Sequence, residues 1–278
     1  MDYVIAVRSH KRADIMKEKT YKILLQNHLT DRLFIFVGSD EVEDYKKAFS
    51  DCSYNQIVSS DAKNGSDKFK TMTEFFPVGK MIVFMDDDLD YWYYFNKDKR
   101  LVKNDAILAH FLEDGFKTID EHNLGAFTCH FSTNKLFLKD KPFKEFRPGF
   151  CNSCFFGMRN DPELIYCPSR QDDPQRTNRL LKKYGGVLYY WWMGFKNDFG
   201  KGSGGQQDQD IRNKNRLEAT KKDADELFAS GMEFFSGVKY NKTYNWYDLK
   251  LKTLPQVKKL LKELGKEFRG IKWQEGFP

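Results

Sequence analysis

The sequence predicts an α/β fold built around a parallel, doubly wound sheet. Short apolar runs at residues 3–7, 33–37 and 80–85 alternate with helical patterns. A basic loop follows the first of these runs, and a cluster of carboxylates follows the third. Strands that alternate with helices favour a parallel sheet. Both polar segments would then lie at the carboxyl ends of strands, where such sheets bind ligands.

The other elements follow from the spacing of apolar and turn residues. Helices are expected at about residues 13–27, 38–49, 65–76 and 104–122, with a third strand at 56–59. For the second half of the chain, the sequence predicts a strand at 126–131, an irregular stretch at 133–161, a helix at 173–184 and an aromatic strand at 187–193. Two further helices, at about residues 210–231 and 255–265, form a carboxyl-terminal elaboration.

Composition excludes some classes of protein. The 278 residues include 46 Lys and Arg against 40 Asp and Glu, a net charge of +6 that is compatible with a polyanionic partner without identifying one. No run approaches the ~20 apolar residues of a membrane span, and the first residues do not resemble a secretory signal. The five cysteines lie in apolar segments, which favours buried thiols over a zinc or disulfide framework. We therefore expect a reducing, cytoplasmic setting and no membrane partner.

The most informative segment is the acidic turn, residues 86–88, which ends the apolar run at 80–85. Asp86, Asp87 and Asp88 are consecutive, and Asp90 follows closely. Burying such like charges without partners would cost several kcal/mol, so a divalent cation among them is a reasonable explanation. Carboxylate oxygens suit Mg²⁺ or Mn²⁺, which bridge proteins to substrate phosphates. A solvated acidic turn is the alternative, but the apolar segments on both sides argue against it.

The basic loop, residues 8–12, would face the same crevice as the acidic turn. Its candidate ligand-binding residues are Arg8, Ser9, Lys11 and Arg12. Cations and a hydroxyl just beyond a strand can reach a phosphate or a ribose. The two segments together indicate a site for a nucleotide or a nucleotide-sugar.

These segments resemble a known family. Residues 3–12, Thr20 and Leu24 of the following helix, the run at 33–37 and the acidic turn are similar to the TET-associated glycosyltransferases of bacteriophages, relatives of the glucosyltransferases that make base J. The resemblance covers residues 3–90 well and 150–195 loosely. It implies a GT-A fold with a Rossmann-like sheet in one catalytic domain, 1–278. Residues 1–125 would bind the nucleotide-sugar, and residues 126–278 would bind the acceptor and add the carboxyl-terminal extension.

The resemblance also implies an activity. This activity is the transfer of a sugar from a UDP-sugar to a hydroxymethylated pyrimidine in double-stranded DNA, with 5-hydroxymethylcytosine as the first candidate for the acceptor base. The reaction would take place in the host cytoplasm if the chain is phage-encoded. Asp86 and Asp88 would hold Mn²⁺ or Mg²⁺, and Asp87 would help to bind the donor. The last histidine is His130, so a water or a carboxylate such as Asp208 or Asp210 would complete the metal site.

A second acidic pair, Asp172-Asp173, precedes a predicted helix. It looks like the acidic motif that GT-A enzymes place beside the acceptor, where a carboxylate takes the proton of the acceptor hydroxyl. An aspartate before Pro174 is also what a helix start prefers, so an N-cap is the alternative. Asp173 matches the catalytic position slightly better than Asp172.

Two weaker candidates concern the acceptor. Lys201 and Ser203 lie in a glycine-rich segment that would close over donor or DNA, with a surface loop as the alternative. Trp191 and Trp192 would contact the acceptor, although core packing is the commoner role of such rings. Three other functions stay open: a transferase of the same fold acting on polysaccharide or protein, a metal-dependent nucleotidyltransferase, and a DNA-binding module without activity.

Overall fold

The computed structural model describes residues 1–62, 65–103, 106–131, 133–138, 140–168, 171–197, 216–242 and 245–275. Its strands are β1 (Tyr3–Arg8), β2 (Leu33–Gly38), β3 (Gln56–Ser60), β4 (Met81–Asp86), β5 (Leu89–Phe95), β6 (Leu101–Lys103), β7 (Ala126–His130), β8 (Lys144–Arg147), β9 (Phe155–Arg159), β10 (Val187–Asn197), β11 (Phe235–Asn241), β12 (Trp246–Leu251) and β13 (Lys272–Trp273).

The helices alternate with these strands over most of the chain. They are α1 (Ala13–Glu18), α2 (Thr20–Gln26), α3 (Val42–Ala48), α4 (Gly65–Phe75), α5 (Leu108–Glu121), α6 (Pro162–Ile165), α7 (Asp172–Tyr184), α8 (Arg216–Ala229) and α9 (Leu254–Glu263). Short 3₁₀ helices occupy Thr30–Arg32, Ser39–Glu41 and Lys135–Leu138. Within the described ranges, no helix has the length and apolar character that a membrane crossing requires.

The central sheet is parallel in its amino-terminal half and mixed beyond it. Strands β3, β2, β1 and β4 are neighbours and all run parallel. Beyond β4 the order continues β9-β7-β10-β8-β13, with only the β7–β10 pair parallel, and β5 and β6 are attached through β10. The predicted α/β class with a Rossmann-like sheet is therefore confirmed. The antiparallel strands were not predicted, and they need only short connections where parallel pairs need long crossovers.

Helices cover both faces of the sheet. On one face, α1, α2, α3 and α5 contribute buried rings and aliphatic side chains to the larger core, including Met16, Tyr45 and Phe111. On the other face, α4, α6 and α7 build a second core that includes Phe69 and Leu180. The two cores hold the sheet rigid at the ends of β1 and β4, where the basic loop and the acidic turn begin.

The carboxyl-terminal elaboration forms its own small core against α7. The hairpin β11–β12 packs with α8 and α9, and Leu181 of α7 belongs to the same cluster. The chain then returns to the main sheet, where β13 pairs with β8. The elaboration therefore packs against α7, the helix that begins with the acidic pair Asp172-Asp173.

The helix predicted at residues 13–27 is broken into α1 and α2. Lys19 lies between them with φ −113° and ψ −93°, outside helical geometry. The break is explained by Thr20, whose hydroxyl donates to the Asp86 carbonyl at 2.7 Å and accepts from the Leu89 amide at 3.0 Å. Thr20 thereby pins both ends of the acidic turn. The strand at Leu89–Phe95 was also not predicted.

Candidate active site

The basic loop is anchored by buried side chains behind it. Ser9 is buried, and its hydroxyl contacts both Asp87 and the Tyr45 hydroxyl. The Tyr45 oxygen also accepts from the Arg12 amide at 3.1 Å. Ser9 is thus committed to holding the loop against the acidic turn. A contact between the Ser9 hydroxyl and a donor stays a prediction.

Glu41 and Lys68 complete the anchoring. The Lys11 amide donates to Glu41 Oε1 at 2.5 Å, and the Gly38 amide donates to Glu41 Oε2 at 2.8 Å. Lys11 has a φ of +54°, a left-handed conformation that this contact helps to hold. The Lys68 ammonium donates to the Ser9 carbonyl, and burial lowers the pKa of Lys68. The loop is therefore preformed, with the Lys11 side chain exposed.

Two arginines of the basic loop compensate the acidic turn. Arg8 ends β1 directly beside Asp86 of β4, and Arg8 Nε donates to Asp86 Oδ1 at 3.0 Å. Arg12 Nη1 lies 3.4 Å from Asp87 Oδ1 and 3.2 Å from Asp88 Oδ2. The charge balance that the sequence attributes to a metal is thus supplied in part by guanidinium groups.

The three aspartates have different surroundings. Asp87 is buried and faces Ser9 and Arg12, and burial raises its pKa. Asp86 and Asp88 keep 22% and 20% of their side chains exposed. Burial and the neighbouring charges of Asp86 and Asp87 raise the pKa of Asp88 to about 7. Asp87 has the role of a structural counter-ion, whereas Asp86 and Asp88 border the crevice.

A resident metal cage is not formed by the described residues. They contain no group of three or more His, Cys, Asp or Glu side chains arranged to hold an ion. Mg²⁺ is often held by only one or two carboxylates, with substrate phosphates and waters completing its shell. Asp86 and Asp88 fit that arrangement, because both are partly exposed carboxylates, although each is also paired with an arginine.

The second acidic pair opens α7 and is held from within. Asp172 and Asp173 lie in the first turn of α7, and Gln171 occupies the N-cap position. The Ser153 hydroxyl contacts both carboxylates, and the Ser153 amide donates to Asp173 Oδ1 at 2.5 Å. Neither aspartate is the N-cap, so the structure does not support the capping interpretation. Their negative charges still suit the amino-terminal end of a helix.

Arg176 compensates this pair from the interior. Its side chain is fully buried, with Nη2 at 3.4 Å from Asp172 Oδ2 and Nη1 at 3.5 Å from Asp173 Oδ1. Arg176 Nη1 also donates to Ser153 Oγ at 2.9 Å. The guanidinium lies 4.9 Å from the centre of the Phe69 ring, whose contacts also include the Arg8 guanidinium at 4.4 Å. Phe69 therefore links the cations of the two acidic segments.

Arg8 brings the two acidic segments together. It contacts Asp86 through Nε, and its Nη1 lies 3.9 Å from Asp172 Oδ2. Burial and the adjacent Asp172 raise the pKa of Asp173, against the opposing effects of Arg176 and Ser153. A carboxyl group with a pKa raised toward neutrality is suited to exchange a proton. The arginines of the basic loop, two partly exposed carboxylates and a candidate base thus lie close together.

The remaining predicted residues lie elsewhere. Trp191 and Trp192 belong to an aromatic cluster on β10 and are not among the side chains that contact the acidic segments. Trp191 is 9% exposed, and its indole Nε1 donates to Glu145 Oε1 at 3.1 Å. Lys201, Ser203, Asp208 and Asp210 lie outside the described residues.

The Cys-x-x-Cys segment contributes its serine to the site. All five cysteines are free thiols, and burial raises the pKa of Cys151 to about 12. Between Cys151 and Cys154, Ser153 reaches the second acidic pair. Ser153 was not predicted, because the Cys-x-x-Cys spacing around it is typical of metal and redox sites. Arg176 was also missed, although its spacing of four residues from Asp172 is a signal for a helical ion pair.

Comparisons with known proteins give only distant similarity. No protein-family model matches the chain, and no curated protein matches it. Among solved structures, S. aureus TarS 1–349 is similar with 14% identity and a TM-score of 0.45, covering 69% of this chain and 60% of that one. A longer S. aureus TarS structure has 15% identity and a TM-score of 0.47, covering 82% and 40%.

A third similar structure is S. aureus TarS 1–349 in complex with UDP, with 14% identity, a TM-score of 0.44 and coverage of 70% and 60%. The present chain thus spans 60% or less of the length of these proteins. Similarity at this level does not identify a shared activity, so the function has to be inferred from the residues of the chain itself.

Proposed function

We propose that this protein is a glycosyltransferase that moves a sugar from a UDP-sugar to the hydroxymethyl group of a modified pyrimidine in double-stranded DNA. The first candidate for the acceptor base is 5-hydroxymethylcytosine. One observation carries the proposal. Arg8 contacts Asp86 at 3.0 Å and approaches Asp172 at 3.9 Å, so both sequence-predicted acidic segments border one crevice. Transfer from a diphosphate donor to a hydroxyl acceptor requires the donor-binding groups and the base to lie close together.

The donor diphosphate would bind where cations and exposed carboxylates meet. Arg8 and Arg12 can turn from the aspartates to phosphate oxygens, because guanidinium groups bind both anions in the same planar geometry. Asp86 and Asp88 would then hold Mg²⁺ or Mn²⁺ against the diphosphate. When bound, the ion would neutralise charge that develops on the leaving group.

In the transfer step, Asp173 would act as the general base. The acceptor hydroxyl oxygen forms a bond to the anomeric carbon, and its proton moves to the Asp173 carboxylate. The bond between the anomeric carbon and the diphosphate oxygen breaks, and its electron pair leaves with the nucleoside diphosphate. Ser153 and Arg176 act as positioning residues, since they hold Asp172 and Asp173 without bordering the crevice themselves.

The DNA acceptor is supported by the resemblance of residues 3–90 to phage DNA-modifying transferases and by the net charge of +6. A base within a duplex is shielded by stacking, so its hydroxymethyl group has to leave the stack to reach Asp173. A polysaccharide or protein acceptor would use the same donor half of the site. The acceptor is therefore the part of the proposal that an experiment has to decide.

The test is mass spectrometry of nucleosides from duplex DNA containing 5-hydroxymethylcytosine. The DNA is incubated with the protein, Mg²⁺ or Mn²⁺, and a panel of UDP-sugars. The proposal expects a nucleoside heavier by one sugar, formed far more slowly by Asp173→Asn than by the matched control Asp172→Asn. If UDP is released from a donor while neither hydroxymethylcytosine nor hydroxymethyluracil DNA gains mass, the DNA acceptor is wrong. A gain of one nucleotide would instead indicate a nucleotidyltransferase.

A further inference from the structure

A row of aromatic side chains, which we call the aromatic face, crosses β5 and β10. It consists of Tyr91, Tyr93 and Phe95 of β5 and of Tyr189 and Trp191 of β10. Side chains alternate along a strand, so these rings point away from Trp92 and Tyr190, which pack on Phe111 of α5. The aromatic face is therefore the side of the sheet opposite α5.

The aromatic face is only partly covered by the described residues. Leu138 of the short 3₁₀ helix is buried against it, but Phe137 and Leu136 in the same helix are 56% and 75% exposed. Phe137 lies 5.9 Å from His130, which in turn lies 5.4 Å from Trp191. Tyr91, Tyr189 and His130 are themselves only half-buried. Tyr93, Phe95 and Trp191 are at most 9% exposed, so a flat ligand would meet Tyr91, Tyr189 and the neighbouring Phe137.

Cations surround these rings. Lys141 Nζ lies 4.5 Å from the Trp191 ring centre, and the Arg147 guanidinium lies 5.0 Å from it. Lys103 Nζ lies 4.2 Å from the Tyr91 ring. Lys99 Nζ lies 6.0 Å from the ring of Trp192, which alternation places on the other side of β10. The face thus presents positive charge and aromatic rings together.

Little negative charge offsets these cations. Glu145 pairs with Arg147 at 3.2 Å and accepts from the Trp191 indole. In the part of the chain that the structure describes, Lys99, Lys103 and Lys141 form no ion pair with a carboxylate. Unpaired cations next to rings favour a ligand that carries both negative charge and flat surfaces. A neutral polysaccharide would explain the rings but not the cations.

The aromatic face begins beside the candidate active site. β5 starts at Leu89, immediately after the acidic turn, and Tyr91 is its first outward ring. Tyr91 pairs in register with Lys196 near the end of β10. At about 3.3 Å per residue, the rings from Tyr91 to Phe95 extend roughly 13 Å from there. A polymer bound along this face would reach the crevice with one of its units.

We propose that the aromatic face binds the DNA acceptor, with its partly exposed rings and the adjacent Phe137 stacking on an unpaired base and its cations neutralising the flanking phosphates. The inference rests on the proposed function, whose acceptor it places on the protein. Base stacking on aromatic side chains combined with a cationic track is how proteins hold nucleic acid without reading sequence. Binding of this kind weakens steeply with salt.

The test is fluorescence anisotropy of labelled duplex DNA containing 5-hydroxymethylcytosine, over a range of salt concentrations. The variant combines Lys103→Ala with Lys141→Ala, and the matched control combines Lys222→Ala with Lys259→Ala. Those two control lysines are 74% and 80% exposed on α8 and α9. We expect about tenfold weaker binding for the variant and a salt slope lower by roughly two, with wild-type values for the control. A separate Phe137→Ala variant should weaken binding about fivefold or more.

The outcomes separate this inference from the proposed function. If the Lys103/Lys141 variant binds DNA as tightly as the control while wild-type protein glycosylates DNA, the aromatic face is not the DNA site. If the variant loses DNA binding while no DNA is ever glycosylated, the surface stands and the proposed acceptor chemistry fails. Binding of a neutral glucan, lost in Phe137→Ala but not in the lysine variant, would overturn the assignment to DNA.

Discussion

The acidic turn at residues 86–88 and the acidic pair at residues 172–173 contain the same residue type but balance their charges differently. The turn is balanced by Arg8 and Arg12, and the Arg8 side chain is 19% exposed at the crevice. The pair is balanced by Arg176, whose side chain is not exposed at all. An exposed cation can exchange its carboxylate for a ligand, whereas a buried one cannot. Under the proposed function, the turn would accept the donor, and the pair would keep one carboxylate in place beside the acceptor.

The largest expected effect separates the two members of the second pair. Replacing Asp173 with Asn removes the base and should lower the rate of transfer about 10²–10⁴-fold. Asp172→Asn is the matched control and should lose far less, because Asp172 faces Arg8 and Arg176. Single-turnover transfer measures both. A larger loss in Asp172→Asn would exchange the two roles.

The next effect separates structure from function within the acidic turn. Asp87→Ala should lower the free energy of unfolding by about 3 kcal/mol, because it removes the buried carboxylate that faces Arg12 and leaves Ser9 with Tyr45 alone. Asp88→Ala should cost about 1 kcal/mol or less, since its pair with Arg12 is more exposed. Urea denaturation measures both variants. Equal losses would mean that Asp87 is not the internal counter-ion of the turn.

A smaller effect is expected in the pH dependence of transfer. Burial, together with the adjacent Asp172, raises the pKa of Asp173 to about 7. Below that pH the carboxyl group is protonated and cannot accept the hydroxyl proton, so kcat should fall about tenfold per unit as pH decreases. Above it, kcat should level off. A kcat that stays constant between pH 5 and 8, or rises as pH falls, would exclude Asp173 as the base.

The smallest effect concerns Thr20, which pins the acidic turn. Thr20→Val removes the hydrogen bonds to the Asp86 carbonyl and from the Leu89 amide, and should cost about 1–2 kcal/mol of stability. Thr118→Val is a useful comparison, because the Thr118 hydroxyl accepts from the Lys144 ammonium at a distance from the crevice. Donor affinity should fall in Thr20→Val only. Unchanged donor affinity in Thr20→Val would mean that the turn holds its shape without it.

Local patterns were sufficient to predict much of the fold. The strands at residues 3–7 and 33–37, the acidic turn and the helix beginning near Asp173 all follow from short-range spacing of apolar and polar residues. The α/β class followed from their alternation. The antiparallel strands β8 and β9 did not, because a short strand in an irregular segment has no period long enough to identify it. The antiparallel strand β5 was missed as well, because its continuous aromatic run has no alternation of apolar and polar residues.

The sequence predicted that the basic loop and the acidic turn face the same crevice, but it did not predict the individual contacts of the site. The register of β1 against β4 places Arg8 opposite Asp86, and no local pattern encodes that pairing. The negative charges of the acidic turn need a cation to balance them, and from the sequence this cation was predicted to be a metal ion. The structure shows that Arg12, remote in sequence, supplies part of that charge. Ser153 likewise reaches Asp172 and Asp173 only through the packing of β9 against its neighbours.

The most direct test of these two separate roles is calorimetric titration of UDP with Mg²⁺ into wild-type protein, Asp88→Asn and Asp173→Asn. The acidic turn is assigned to the donor and the acidic pair to the acceptor. UDP affinity should therefore fall at least tenfold in Asp88→Asn and stay within about twofold of wild type in Asp173→Asn. Equal weakening in both variants, or none in Asp88→Asn, would contradict the account.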